Sequence, residues 1–377
     1  MPEIVLDNII KDYRGGTLAA DGLSLKVNDG EYLCILGPTG SGKTTCLRII
    51  CGLTNPDSGK VTFNGTDVTD TPVSERKAAM LSQVYSLFPT MKVYENVMFS
   101  PEIKGKEVEE YRQLVKSMIH MVHMENKARS FPHELSGGQQ QRTALARALA
   151  SESDILLLDE PLRALDARLR LELRQELKSL VKEMGLTAIH VTHDQDEALE
   201  MADRIAIIRK GKIVQVGTPI EVFQNPRTPF VANFVGRSNI FKGKMAAITE
   251  NHSEVELDEG YIIKARPADI PLGEEVVVAV KIGTTRMANV VEPSEEFPEP
   301  DQPEGYFKGK IERILYEGST FTIEVDVQGI GRVSSKLPNR KFDEYERGKE
   351  VIVSWMPEKA SVFLVPEGGL EEELRLD

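Results

Sequence analysis

Cysteine is scarce in this 377-residue chain: Cys34, Cys46 and Cys51 are the only three, an odd number within one short stretch, with no C-x-x-C or zinc-type spacing. A disulfide scaffold is thereby excluded, and buried, reduced core thiols are expected, which suits a reducing compartment. Positive charge is also in deficit. With 46 Lys and Arg against 59 Asp and Glu, the net charge of -13 repels phosphate backbones and anionic lipid head groups, so no nucleic-acid partner is expected. Long apolar runs are missing. The longest, at 155–158 and 276–280, are strand-sized, far short of the roughly 18 to 20 residues a spanning helix needs. The opening Met1-Pro2-Glu3 has neither a basic start nor an apolar signal core, so no export signal is expected. If the chain serves a membrane, it does so by docking on partners that span it.

What is present is the composition of an ordinary folded protein, 41% hydrophobic and 28% charged. The length calls for two or three domains. Over the first 230 or so residues, short apolar runs alternate with amphipathic helical stretches, the pattern of a mainly parallel sheet covered by helices. Strands are expected at Tyr32–Leu36, 155–158 and Thr187–Thr192, and helices at 139–150 and 166–183. Leu23, Leu25 and Val27 alternate with polar residues, and Lys210-Gly211-Lys212 reads as a turn between two strands, so an antiparallel portion flanks this core. From about 230–241 the character changes to short strands at turn-marked intervals, among them Glu275–Lys281, 307–316, 320–326 and 350–355, the spacing of a small OB-like barrel. The Pro/Glu-rich segment 292–304 is expected to be a solvated loop, and the acidic end 367–377 a solvated tail.

Directly after the Tyr32–Leu36 strand comes Gly37-Pro38-Thr39-Gly40-Ser41-Gly42-Lys43-Thr44, followed by Thr45, a complete GxxxxGK[ST] loop running into a helix. Glycines let successive backbone N–H groups converge on phosphate oxygens, and the helix N-terminus adds partial positive charge. Lys43 neutralises the β/γ oxygens, and Thr44 can ligate Mg²⁺. A second apolar strand ends in Asp159-Glu160. Carboxylates there are costly unless employed: Asp159 would hold the metal's water shell and Glu160 would orient and activate the water that attacks the γ-phosphate. A third element, Leu135-Ser136-Gly137-Gly138-Gln139, opens the 139–150 helix and offers backbone and hydroxyl donors as a second anion cradle. One chain thus carries two half-sites for one type of ligand. The simplest closed solution is a two-fold, head-to-tail homodimer with two shared sites.

In this order, the phosphate loop, the LSGGQ segment and the apolar strand ending in Asp-Glu resemble the ATPase domain of the ABC transporter superfamily, over roughly residues 3–230. The resemblance implies an α/β phosphate-loop fold with an antiparallel β portion and a helical subdomain at about 84–150, then an all-β OB-like domain. The expected domains are 1–235 and 236–377. It also implies ATP and Mg²⁺ as ligands and ATP hydrolysis as the activity. Gln83 resembles the residue that senses Mg²⁺ and the attacking water, and His193 the switch histidine at the γ-phosphate. Tyr13 sits where an aromatic ring stacks on adenine, and Ala164-Leu165-Asp166 resembles the loop that signals across the dimer.

With no fused membrane domain, coiled-coil insertion or second cassette, the importer branch is implied. Its members act at the cytoplasmic face of the membrane with two integral permease subunits and, indirectly, an external solute-binding protein. Residues 83–97, with apolar Leu87, Phe88, Met91 and Val93, are similar to the segment that grips a short helix of the permease. The C-terminal region is similar to the accessory domain of importers for polyamines, inorganic ions, glycerol phosphate and sugars, and is nearer to the polyamine and ion members. A sugar or glycerol-phosphate importer ATPase, or a soluble, non-transport ATPase of the same superfamily, is the alternative reading. Arg163 departs from a usual small residue, Ser82 from a common Phe, and Val280-Lys281-Ile282-Gly283-Thr284-Thr285 from an Arg-Pro-Glu strand ending.

Overall fold

A computed structural model describes residues 2–13, 16–105, 107–257, 260–290 and 306–375. It divides into two compact units, one reaching Pro219 and the other starting at Ile220.

In the first unit, β1 (Ile4–Tyr13), β2 (Thr17–Val27), β4 (Ser58–Phe63) and β5 (Thr66–Asp67) form an antiparallel sheet in the order β2-β1-β4-β5. Its apolar alternation places Ile4, Leu6, Leu23, Leu25, Val27 and Val61 in the core. The main sheet contains β3 (Tyr32–Leu36), β6 (Ala78–Leu81), β7 (Ile155–Asp159), β8 (Thr187–Thr192), β9 (Arg204–Arg209) and β10 (Lys212–Gly217), in the order β10-β9-β3-β8-β7-β6. All of its pairings are parallel except β10 with β9, whose hairpin turns at Lys210 and Gly211, both at positive φ as a tight hairpin requires. β3, β7 and β8 are buried at every position, which explains why they read as continuous apolar runs rather than alternating ones.

Helices α1 (Lys43–Cys51), α2 (Val93–Ile103), α3 (Val108–Met121), α4 (Gly137–Leu149), α5 (Ala167–Glu183) and α6 (Gln195–Met201) complete the unit. The helix read from 139 starts two residues earlier, because Ser136 and Gln139 form a reciprocal capping box. Cys34, Cys46 and Cys51 are buried free thiols. Burial pushes the Cys46 thiol up to about 12. No described helix is long and apolar enough to cross a membrane.

Parallel pairing places the carboxyl ends of β3, β6, β7 and β8 on one edge of the sheet, where ligands bind in open α/β sheets. The residues just past those ends are the phosphate loop, Gln83, Glu160 and His193.

The second unit opens with α7 (Pro219–Gln224) and α8 (Pro229–Phe234). Its start lies sixteen residues ahead of the 235/236 boundary expected from the sequence, since 235 less 219 is 16. The physical reason is that α8 is committed downstream: Pro229, Phe230, Val231, Ala232 and Phe234 are buried, Phe230 and Phe234 stack at 5.1 Å, and the Ser238 hydroxyl donates to Ala232 O. Two five-stranded antiparallel sheets follow. One is built from β11 (Ser238–Ile248), β12 (Ser253–Leu257), β13 (Ile262–Ala265), β14 (Glu275–Lys281) and β20 (Ala360–Leu364), in the order β13-β12-β11-β14-β20. The other has β15 (Arg286–Asn289), β16 (Tyr306–Tyr316), β17 (Thr320–Val327), β18 (Gly331–Pro338) and β19 (Glu350–Ser354), in the order β15-β19-β16-β17-β18.

Their inner faces share one core, in which Phe241, Phe307 and Trp355 stack at 5.3–5.4 Å and Phe321 is fully enclosed. The result is an all-β half-barrel. The Pro/Glu-rich segment 292–304 lies outside the described residues. The acidic end is not wholly a solvated tail, because Gly369 at positive φ turns the chain into α9 (Leu370–Leu374), which buries Leu370.

Candidate functional site

The loop between β3 and α1 can close tightly only because its first and last glycines lack side chains. A Cβ on Gly37 would lie 2.2 Å from Ile208 O, and one on Gly42, at φ +104°, would lie 2.1 Å from Ala19 O. The loop is therefore seated against β9 and β2. The Lys43 ammonium folds back into it and donates to Gly37 O at 2.9 Å and Pro38 O at 2.6 Å. Burial pulls its pKa below the ordinary lysine value, and Glu160 and Asp159 oppose that pull. Ser41 Oγ is buried without a hydrogen-bond partner. An orphaned hydroxyl beside a lysine satisfied only by its own loop fits an incoming phosphate.

Thr44, in the first turn of α1, donates from Oγ1 to Asp159 Oδ1 at 3.2 Å, tying the loop to the end of β7. Asp159 is 3% exposed. Burial raises its carboxyl above the usual range and outweighs the Thr44 hydrogen bond. Glu160, one residue on, leaves the strand at φ +50°, a left-handed conformation rare outside glycine. Its N–H donates to Val191 O at 2.9 Å, and its Oε1 lies 3.0 Å from His193 Nδ1. Oε2 accepts from Arg163 Nη1 at 2.7 Å. Burial pushes this carboxyl up, but the hydrogen bonds from His193 and Arg163 prevail and hold it below its ordinary value.

The structure thus brings together Lys43, Thr44, Asp159, Glu160 and His193. Gln83 follows β6 on the same edge and is exposed. Tyr13 is an exposed residue at the end of β1, with Lys11 Nζ 5.9 Å from its ring centroid. Ser136, Gly137, Gly138 and Gln139 form the start of α4, and no hydrogen bond among the described residues joins them to the phosphate loop. Asp166 caps α5, accepting from Leu169 N at 3.0 Å.

Comparison with known proteins agrees with this geometry. A family model described as ABC transporter matches residues 20–163, and one described as TOBE domain matches residues 290–363. The spermidine/putrescine import ATP-binding protein PotA of Thermobifida fusca is 37% identical, covering 96% of this chain and 94% of its own length. The PotA of Trichormus variabilis is 40% identical, covering 94% and 91%. Among solved structures, a dimeric ATP-binding cassette in a post-hydrolysis state, bound to ADP and Pi, is 34% identical with a TM-score of 0.54 over 57% of this chain and 98% of that one. The chain belongs to the ATP-binding subunits of the ABC transporters. It is an ATPase of the branch with a C-terminal TOBE domain.

Three contacts in this ABC ATPase were not readable from its sequence. The Gln141 side chain is buried on α4 and spans two backbones: Nε2 donates to Glu160 O, and Oε1 accepts from Ala164 N, both at 2.9 Å. The helix that opens with the LSGGQ segment is thereby fastened to the turn after Glu160. Arg163, noted only as a departure, holds one Glu160 oxygen. Arg174, 5% exposed, pairs with Asp194, the residue after His193, at 2.9 Å and with Glu200 at 3.3 Å. The run Gln139-Gln140-Gln141 was visible, but which amide turns inward depends on the packing of α4. In the expected docking segment, Val93 and Val97 are consumed by the chain's own core, while Val84 is exposed and Leu87, Phe88 and Met91 are half-buried.

Proposed function

We propose that two copies of the chain clasp ATP between the phosphate loop of one and Ser136-Gly137-Gly138-Gln139 of the other, and that hydrolysis there powers polyamine import. Two integral permease subunits would dock near residues 83–97 at the cytoplasmic face, and an external solute-binding protein would deliver the solute. The polyamine class rests on the naming of relatives that match over nearly their whole length. The observation that carries the catalytic reading is the edge of the parallel sheet where the Thr44–Asp159 and Glu160–His193 pairs meet Lys43.

On ATP arrival, Lys43 exchanges Gly37 O and Pro38 O for phosphate oxygens, and Ser41 Oγ gains the acceptor partner it lacks. Tyr13 stacks on the adenine. Thr44, Asp159 and Gln83 would hold Mg²⁺, which when bound neutralises charge on the phosphate oxygens. Glu160, kept ionised by His193 and Arg163, orients the attacking water and accepts its proton, and His193 donates toward the γ-phosphate. Asp166 and its neighbours carry the state of one site to the other.

Glu160→Gln tests this assignment. ATP affinity should hold, turnover should fall by about 10²- to 10⁴-fold, and an ATP-dependent dimer should accumulate in gel filtration. An unchanged hydrolysis rate eliminates Glu160 as the base. Uptake of labelled putrescine by vesicles carrying the chain with its permeases tests the solute, and uptake of a sugar instead would replace it.

A further inference from the structure

The second unit holds a cavity of about 350 Å³, a volume in the range of small-molecule sites. Three cationic residues line it: Lys281, Arg266 and the exposed Lys359. Lys281, the last residue of β14, is 7% exposed. Its ammonium donates to Ala232 O at 2.6 Å and to Val235 O, and lies 5.0 Å from the centroid of Phe223. Two of its three protons are thereby spent on the carbonyl end of α8, and the third has no hydrogen-bond acceptor among the described residues. Arg266 donates to Asn225 Oδ1 at 3.0 Å, Gln224 O at 2.9 Å and Glu358 O at 3.2 Å, while its Nε is buried without a partner.

Among the described residues, no carboxylate forms an ion pair with either side chain. Glu358 and Lys359 also line the cavity, so its side chains sum to +2 when all are ionised, in a chain of net charge -13. A buried cation without a counter-ion is costly. Backbone carbonyls supply only partial charge. Burial accordingly pulls the Lys281 ammonium down to about 7. The rest of the wall, including Phe223 and Ala232, is apolar enough to take an organic body.

We propose that this cavity binds a small organic anion, its carboxylate or phosphate head between Lys281 and Arg266 and its body against Phe223. The cavity is built by the second unit alone, whereas the phosphate loop belongs to the first, and nothing in the ATPase reaction requires it.

Calorimetric titration of the full-length protein with benzoate and with phenyl phosphate, in EDTA and without nucleotide, tests the proposal. A Lys43→Ala background separates this cavity from the phosphate loop. Binding by at least one probe should persist in Lys43→Ala, weaken at least tenfold in Lys281→Met and in Arg266→Gln, and return to within a few-fold in Lys281→Arg. Benzoate binding alone identifies a carboxylate site, and binding of phenyl phosphate alone a phosphate site. Should neither probe bind, should binding vanish in Lys43→Ala, or should it survive unchanged in Arg266→Gln, the proposal is overturned. Arg266→Gln keeps the test decisive if Lys281→Met disturbs α8.

Discussion

Arg76 provides a sharp test of how the phosphate loop is held. It is 3% exposed, with no carboxylate paired to it among the described residues. Its guanidinium instead donates to four backbone carbonyls: Ile49 O at 2.8 Å, Ile50 O at 3.0 Å, Thr69 O at 2.7 Å and Thr71 O at 2.9 Å. Ile49 O and Ile50 O belong to the last turn of α1, the helix whose other end is the phosphate loop, and Ile49 O also accepts from Gly52 N at 3.1 Å. Gly52, at φ +83°, leaves room for it, since a Cβ there would lie 2.6 Å from Arg76 Nε. Arg76→Met keeps the apolar stem but takes the side-chain donor from Ile50 O, Thr69 O and Thr71 O, and leaves Ile49 O only its bond from Gly52 N. At about 1–3 kcal/mol for each buried unsatisfied group, less the recovered cost of desolvating the charge, the loss should be about 3–5 kcal/mol. Arg76→Lys, with a compact head that cannot fork, should lose roughly half of that.

The assay is urea unfolding read by two probes, because the two units need not melt together. Far-UV circular dichroism follows the helix-rich first unit. Fluorescence follows Trp355, the only tryptophan in the chain, which is buried in the second unit's core. The dichroism midpoint should drop and the Trp355 midpoint stay in place, with ATP affinity falling as α1 loosens. If Arg76→Met leaves the dichroism transition within 1 kcal/mol of the parent, the carbonyl clamp is not what secures α1.

Three shorter predictions follow from the same sites. Asp159→Asn should raise the melting temperature in EDTA at pH 7.5 while abolishing hydrolysis. A carboxyl whose pKa is raised in the fold contributes stability in acid that is lost as pH rises through the folded value, so the gain should shrink toward low pH. Lys281 has the opposite sign: with its folded pKa lowered from 10.5 to about 7, the second unit should lose stability as pH falls across that window. The slope should approach 1.4 kcal/mol per pH unit, and Lys281→Met should flatten it in Trp355-monitored unfolding at a series of pH values. Gly42→Ala adds a carbon 2.1 Å from Ala19 O at positive φ, so it should cost about 3 kcal/mol or more and eliminate binding of a fluorescent ATP analogue.

Much of the fold was legible because it depends on local pattern. β3, β8 and β14 run over the residues expected from apolar runs, and the Lys210-Gly211 turn follows from a two-residue hairpin's need for positive φ. Segment ends were less legible. Ser136 moved the start of α4, and Leu370 turned an acidic end into a helical turn, each through a single contact that composition averages away. Arg76 and Arg174 carry no signal in the sequence, since nothing in a one-dimensional pattern shows that backbone carbonyls or a capping aspartate will surround a guanidinium. At the candidate site, residue types were legible from the motifs, whereas the occupancy of Glu160 by Arg163 was not, because it requires the chain to double back over three residues.

That doubling back is where fold and chemistry meet. Residues 159 and 160 are adjacent carboxylates, yet the structure gives them opposite electrostatic treatment: burial raises Asp159, and donors hold Glu160 low. A regular strand could not do this, since alternation would turn Glu160 to the opposite face of the sheet from Asp159. The left-handed φ of Glu160 breaks the alternation and swings its carboxylate toward His193. Gln141 stabilises the resulting turn by accepting from Ala164 N and by giving Glu160 O a second donor beside Arg163 N, which reaches it at 3.3 Å. Because Gln141 stands two residues beyond Gln139 on α4, any shift of the LSGGQ segment is passed to the Glu160 turn through one buried amide. Removing that amide, as in Gln141→Leu, should therefore lower turnover more than ATP affinity.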